Sequence, residues 1–335
     1  MKDVAERAGV SIGTVSNVVN RPDLVSPATR ARVVAAIAEV GFVRRESARL
    51  LRTRRSDALA LLVLDLANPF FVEVMRGAEG AARAAGLGVV TCNSAHSAAE
   101  EANYLGLFAA QRVRGVLVTS VDATGGTLAA FARSEIPYVL VDRTVPGREA
   151  CRVLVDDVAG GAMAVGHLAA SGHRRIAFVS GPLDLPQCRD RLAGARKAAG
   201  EAGLAAGDVR VIEGARLDIE AGRDAAGRVL GLPGRPTAVF CANDLLALGV
   251  LQTLFAAGVR VPEEMAIVGY DDIEFAAAAA IPLSSIRQPA ARIGQTAAEL
   301  LIEETSSAAS QHVHQAIVFQ PEMVVRRSSI GRAGN

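Results

Sequence analysis

Apolar positions recur at helical spacing in three short segments at the start of the chain. Asp3–Ala8 places Val4 and Ala8 on one face, and Gly9 breaks the pattern. Ser11 is a good cap for a second helix running to about Val19. Ser26-Pro27 opens a third, a cap residue followed by proline in the first turn. Its apolar positions Val33, Ala36, Ile37 and Val40 keep helical spacing until Gly41. Residues 44–57 then lack core-forming side chains and read as a linker. From Leu59 the pattern changes. Short apolar runs at 59–64, 88–92, 115–119, 138–142, 176–180, 208–212, 237–241 and 265–270 alternate with Ala-rich helical stretches at 71–86, 98–110, 157–171, 188–203, 219–230 and 244–257. Such alternation builds parallel sheets with helices on both faces. It is interrupted near 143–156 and 282–288, which predicts two lobes of about 130 residues rather than one long sheet.

Charge sharpens the division. The 335 residues carry a formal net charge of +1, but residues 1–56 hold 11 Lys+Arg against 5 Asp+Glu, and the rest 25 against 30. A basic head on an acidic body is the electrostatic shape of a nucleic-acid reader with a separate second module. A hydrophobic content of 50% with 21% charged residues excludes a disordered chain. The longest apolar run, Leu59–Leu64, is far too short to span a bilayer. No apolar segment follows the basic start, so no secretory signal is expected. Cys92, Cys151, Cys188 and Cys241 lack zinc-site spacing and read as small buried side chains in a reducing cytoplasm. The two lysines, Lys2 and Lys197, follow no G-x4-G frame, which excludes a Walker A phosphate loop.

Residues 3–20 have the spacing of a helix-turn-helix. Ala5 sits where two helices touch, Gly9 permits the tight turn, and Val10, Val15 and Val18 face the third helix. Ser11, Thr14, Ser16 and Asn17 stay free on the outer face of a helix that would lie in the major groove. On these residues the segment 2–56 resembles the DNA-binding domain of the LacI/GalR family of bacterial repressors, and the similarity of layout continues to about Arg327. The resemblance implies an all-α head at 1–43, a hinge at 44–57, and a periplasmic-binding-protein-like α/β domain at 58–328. Lobe 1 would take about 58–156 and 287–312, and lobe 2 about 157–286 and 313–328.

It also implies roles. Ala48-Arg49-Leu50-Leu51 matches a hinge that becomes helical on DNA, with Leu51 as the wedge into the minor groove. A helix of two turns is unstable alone, so it should order only when bound. Arg44 departs from the family, where many members have proline. At the front of the recognition helix, Ile12 could meet only a thymine methyl and Gly13 reads nothing. Asn17 could pair with adenine N6 and N7, while Ser11, Thr14 and Ser16 suit phosphates, which position without specifying.

In the body, Asn68-Pro-Phe70-Phe71 follows the first strand, where ligands bind in such folds. Asn68 can bond a hydroxyl and either ring can stack on a ligand, core aromatics at a helix start being the other reading. Asp142-Arg143 ends the fourth strand and suits a polyhydroxylated ligand, a surface ion pair being the other reading. Arg191 falls at the family's ligand arginine, and Asn243 and Asp271 follow strands at its cleft. Asp244 reads as a ligand group or a helix cap, and Gln288 lies near the lobe crossover. Leu217 stands where members often place an aromatic ring.

Two patterns lead elsewhere. Gly9-Val-Ser-Ile-Gly13 matches a nucleophile elbow, but a helix precedes it where that motif needs a strand. His312-Val-His314 alternates as on a strand, and with no third ligand nearby a solvated edge is expected rather than a metal. No cofactor and no catalytic constellation are expected. The sequence therefore points to a cytoplasmic, ligand-responsive transcriptional repressor of carbohydrate-utilisation genes. It would bind a near-palindromic double-stranded DNA operator as a homodimer, with a sugar or polyol effector between the lobes and no membrane partner. A purine-responsive or activating regulator, or a sugar-binding protein without DNA, are the alternatives. The C-terminus has no apolar heptads, which speaks against a coiled-coil tetramer.

Overall fold

In the computed structural model the described residues are 1–42, 56–122, 124–145, 147, 149–306 and 312–330. Met1–Ser56 and Asp57–Asn335 form two compact units. The head consists of α1 (Lys2–Ala8), α2 (Ile12–Asn20) and α3 (Pro27–Val40). Its boundaries follow local chemistry. Gly9 adopts the left-handed conformation that ends α1 (φ 62°), and the Ser11 hydroxyl accepts the Thr14 N–H at 3.1 Å to cap α2. Val4, Ala5, Ala8, Val15, Val18, Val33 and Ala36 form a small buried core. These side chains are short, so the three helices pack closely.

The body has two six-stranded sheets. The first runs in the order β11 (Ala316–Phe319), β5 (Arg152–Val155), β4 (Tyr138–Val141), β3 (Gly115–Val118), β1 (Ala58–Val63), β2 (Gly88–Asn93), and every pairing is parallel. The second runs β12 (Glu322–Val324), β10 (Ser284–Arg287), β9 (Ala266–Asp271), β8 (Ala238–Cys241), β6 (Ile176–Ser180), β7 (Val209–Glu213). Only the edge strand β12 is antiparallel. Central strands such as Gly115–Val118 and Ala238–Cys241 are buried throughout, as helices on both faces require.

Lobe 1 carries α4 (Pro69–Ala84), α5 (Ala98–Gln111), α6 (Gly126–Ala132) and α12 (Ala290–Glu304). Lobe 2 carries α7 (Asp157–Ala170), α8 (Pro186–Glu201), α9 (Ile219–Leu230), α10 (Asp244–Ala256) and α11 (Glu274–Ala278). The chain crosses between lobes three times, after β5, after β10 and after β11. This corrects the expected division. Residues 316–319 were expected in lobe 2, but β11 pairs with β5 in the lobe 1 sheet, and lobe 2 resumes only at β12. The interruption at 143–156 is the helix-less β4–β5 connection, among the described residues, together with β5 itself, and that at 282–288 is β10.

Three helix pairs share one packing device. Gly77 of α4 and Gly294 of α12 each lie against a backbone carbonyl of the other helix, those of Ala291 and Val74. Gly161 of α7 and Gly194 of α8 do the same with Arg191 and Val158, and Gly222 of α9 and Gly249 of α10 with Leu246 and Ile219. A Cβ at any of these positions would overlap the facing carbonyl. Glycine thus lets paired helices approach more closely than side-chain ridges allow.

The His312–His314 expectation fails. Residues 312–315 are not a strand, and the His312 side chain is only 2% exposed, tucked against Cys151.

Candidate ligand cleft and DNA-reading face

On the head, Ser11, Ile12, Gly13 and Asn17 are exposed and Thr14 and Ser16 half-buried. Ile12 is 46% exposed, so its apolar side chain faces solvent at the front of the helix. Ser11, Thr14 and Ser16 are not free as expected. The Ser11 hydroxyl caps α2, and the Ser11 and Thr14 hydroxyls bond each other at 2.9 Å. Arg49 and Leu51 lie outside the described residues, as do the other hinge arginines.

In the body, a cleft of about 440 Å3, counting its open mouth, lies between the lobes. It forms where strand ends from both sheets meet helix starts, the usual ligand position of such sheets. Lobe 1 supplies Leu64, Asp65 and Asn68 after β1, Phe70 and Phe71 at the start of α4, His96 and Asp142 after β4. Lobe 2 supplies Gln187 and Arg191 from α8, Leu217, Asn243 after β8 and Asp271 at the end of β9, with Gln288 from the crossing. Asn68, Phe70, Phe71, Asp142, Arg191, Asn243, Asp271 and Gln288 are thus brought together as the sequence suggested, and Leu217 stands among them. Phe70 and Phe71 also belong to the lobe 1 core, packed edge to face at 5.1 Å.

Arg143 is the exception. It is buried, but it does not line the cleft, and its Nε and Nη2 have no hydrogen-bond partner. Burial pulls its pKa down, opposed by the carboxylate of Asp142. Asp244 is neither a lining residue nor the cap. Asn243 caps α10 by accepting the Leu246 N–H at 2.9 Å. Asp244 is buried behind it, accepting from the Ile273 N–H at 2.9 Å and the Ser285 hydroxyl at 2.8 Å, and so ties α10 to the loop after β9 and to β10.

The polar groups are held rigidly. Arg191 donates through Nε to Asp157 Oδ1 at 2.8 Å and through Nη1 to the Ala242 carbonyl at 2.5 Å, and its guanidinium lies 3.6 Å above the Tyr270 ring. The Tyr270 hydroxyl donates to the same Asp157 oxygen at 2.8 Å. Asp271 receives the Asn68 amide at 3.0 Å and the Gln288 amide at 2.7 Å. The Asn68–Asp271 bond crosses the cleft and joins the lobes. Asn68 Oδ1 caps α4 by accepting the Phe70 N–H at 3.0 Å, which fixes its amide toward Asp271.

Burial dominates the electrostatics. It raises Asp271 to about 6, although Arg191, Asn68 and Gln288 pull the other way. Burial, reinforced by the Asp157 carboxylate, raises Asp142 to about 7 against the opposing pull of Arg191 and Arg143. Asp142 Oδ1 is buried with no hydrogen-bond partner. Such an atom carries an unrepaid desolvation cost that a hydroxyl donor would relieve.

Sequence reasoning missed Leu64, Asp65, His96 and Gln187 in the lining and Asp157 behind Arg191. Gln187 directly follows the proline that opens α8, so the helix-start rule that found Phe70 could have found it. His96 lies in a loop at φ 59° and carries no sequence signal.

A three-helix head with an exposed second-helix face, joined to a two-lobed domain with a polar cleft, defines a ligand-sensing DNA-binding regulator. Residues 1–45 match the model of bacterial regulatory proteins of the lacI family, and residues 165–330 that of the periplasmic binding protein-like domain. The HTH-type transcriptional repressor PurR of Photobacterium profundum is 35% identical over 329 residues, covering 98% of both chains. A structure of the transcriptional regulator CelR in complex with cellobiose is 34% identical, covers 98% of each chain and superposes with a TM-score of 0.73. The lac repressor dimer bound to operator and the anti-inducer ONPF is 28% identical, with 98% coverage of each and a TM-score of 0.84. The chain belongs to the LacI family of bacterial regulatory proteins, and is a DNA-binding transcriptional repressor of that family.

Proposed function

We propose that this repressor binds a near-palindromic operator as a homodimer and responds to a sugar or polyol held in the cleft. The observation that carries the effector class is the donor set. Asp142 and Asp271 come from different lobes, Arg191 lies between Asp157 and Tyr270, and amides of Asn68, Asn243 and Gln288 surround them. Carboxylates and amides bond adjacent hydroxyls in pairs, and the unpartnered Oδ1 of Asp142 provides an acceptor in need of a donor. Asn68, Phe70, Phe71, Asp142, Arg191, Asn243, Asp271 and Gln288 are the proposed ligand residues, with the adjacent Arg143 acting on the charge of Asp142.

A ligand that contacts both lobes favours one lobe arrangement by its differential affinity, and the same free energy changes DNA binding. On the head, Asn17 reads adenine, Ile12 meets a thymine methyl, Gly13 permits close approach, and Ser11, Thr14 and Ser16 meet phosphates. Arg49 and Leu51 of the hinge add phosphate contact and the minor-groove wedge. The protein acts in the cytoplasm by binding, without catalysis or cofactor. Among the described residues no helix is long and apolar enough to cross a membrane.

A second reading, a purine effector, is favoured by the PurR name of the relatives and by the two phenylalanine rings at the cleft. Leu217, in place of a further ring, favours the sugar. Calorimetric titration of the purified chain with pentoses, hexoses, polyols, nucleosides and nucleobases separates them. Each binder is then added to an operator obtained by selection from random duplexes. Saturable binding of a sugar or polyol that shifts operator affinity is expected; response to a purine alone overturns the proposed class.

A further inference from the structure

At the outer edge of the lobe 1 sheet, four side chains from three separate segments converge. Cys151 immediately precedes β5, Glu304 ends α12, and His312 and His314 lie just before β11. One ligand atom from each falls within 4.8 Å of all the others. Cys151 Sγ is 3.1 Å from His312 Nε2 and 3.9 Å from His314 Nδ1, and His312 Nε2 is 3.9 Å from Glu304 Oε2.

Packing alone does not account for this cluster. The His312 side chain is 2% exposed, yet its Nδ1 has no hydrogen-bond partner, with Glu303 Oε1 3.9 Å away. Glu304 Oε2 is buried and likewise without a partner. Leaving the Glu304 carboxylate oxygen unsatisfied costs on the order of 1–3 kcal/mol, which a cation held between it and His312 Nε2 would relieve, while His312 Nδ1 faces Glu303 as an outer partner.

We propose that Cys151, Glu304, His312 and His314 bind a divalent transition metal of the Zn2+ type. A thiolate, a carboxylate and two neutral imidazoles form a mixed N/S/O set that suits this borderline ion and not Mg2+ or Ca2+. Tetrahedral zinc holds its ligand atoms roughly 3.3–3.7 Å apart, so the widest pair closes by about 1 Å on binding. His314, which is exposed, has the freedom to make that movement. The Gln315 N–H already donates to Cys151 Sγ at 3.3 Å, the outer-shell bond that commonly steadies a metal-bound thiolate. A cavity of about 480 Å3, counting its open mouth and bordered by Tyr138, Glu149, Ala150, Glu304 and His314, gives an ion access from solvent. The metal would clasp the end of α12 and the lead into β11 to β5, in the sheet from which the chain crosses to lobe 2 at β12.

The test uses tag-free, full-length protein, reduced and stripped with chelator, in competition with a chromophoric zinc indicator and in parallel with Co2+. One tightly bound Zn2+ per chain is expected, together with a raised melting temperature and a Co2+ complex showing intense four-coordinate d–d absorption and a thiolate charge-transfer band. Cys151→Ser should abolish that band, and His314→Ala, at an exposed position, should weaken Zn2+ binding by at least about tenfold. Cys92→Ser should change neither. Absence of saturable binding, or binding unchanged in both Cys151→Ser and His314→Ala, overturns the proposal.

Discussion

Replacing Asp142 by asparagine should stabilise the ligand-free body in a pH-dependent way. Asp142 sits at φ 57°, a left-handed conformation that asparagine tolerates as well as aspartate, so the backbone is not perturbed. Its carboxyl is raised from 3.8 to about 7, by burial first and then by the Asp157 carboxylate. The native chain therefore holds a proton that the unfolded chain releases, and stability falls as pH rises between those two values. Asparagine resembles the protonated form and escapes this loss. Between pH 5 and the folded value lie about two units, each worth 1.36 kcal/mol at full effect; partial exposure of the residue reduces the sum to about 2 kcal/mol. Urea unfolding of both proteins at pH 5 and pH 8 measures it. The variant should gain about 2 kcal/mol more over the parent at pH 8 than at pH 5. A difference independent of pH would refute the assignment of a buried, proton-holding carboxyl to this cleft. The same variant should lose sugar affinity, since it exchanges a double acceptor for a single one.

Gly161→Ala should destabilise the body by about 2–3 kcal/mol, because its Cβ meets the Arg191 carbonyl, and should lower effector affinity by moving Arg191; denaturation and calorimetry check both. Ser11→Ala should cost the head about 1 kcal/mol through loss of the α2 cap, read as a lower unfolding midpoint of a fragment ending before the body. Leu51→Ala should weaken selected operator binding in a mobility-shift titration, and parental affinity would count against the wedge. Operator affinity should also fall steeply and linearly in log–log form with salt, reflecting the hinge arginines; a flat dependence would remove them from the interface.

In the proposed function, the Asn68–Asp271 bond is the route from ligand to lobe arrangement. Both atoms that form it belong to lining residues, and Asp271 is also held by Gln288 from the interlobe crossing. A ligand hydroxyl that replaces either partner changes the contact between lobes, so occupancy and lobe geometry are linked at one carboxylate.

Periodicity and punctuation determined the elements and much of the site. Gly9, Ser11, Ser26-Pro27 and Gly41 marked the head helices because caps and left-handed ends act within a few residues. Strand ends singled out Asp142, Asn243 and Asp271, which all line the cleft, since strand carboxyl ends open onto it. Only the tertiary structure decided what depends on contacts distant in sequence. It placed β11 in lobe 1 through its pairing with β5, a choice that no local pattern encodes. It left Arg143 buried outside the cleft lining while Arg191, 48 positions later, entered it, because α7 and α8 pack through glycines and carry Arg191 onto Asp157 and Tyr270. It also brought Cys151 beside His312, 161 residues away, where the sequence alone displayed an isolated cysteine and a pair of histidines. Burial, and with it every raised carboxyl in the cleft, exists only once those long-range contacts have excluded water.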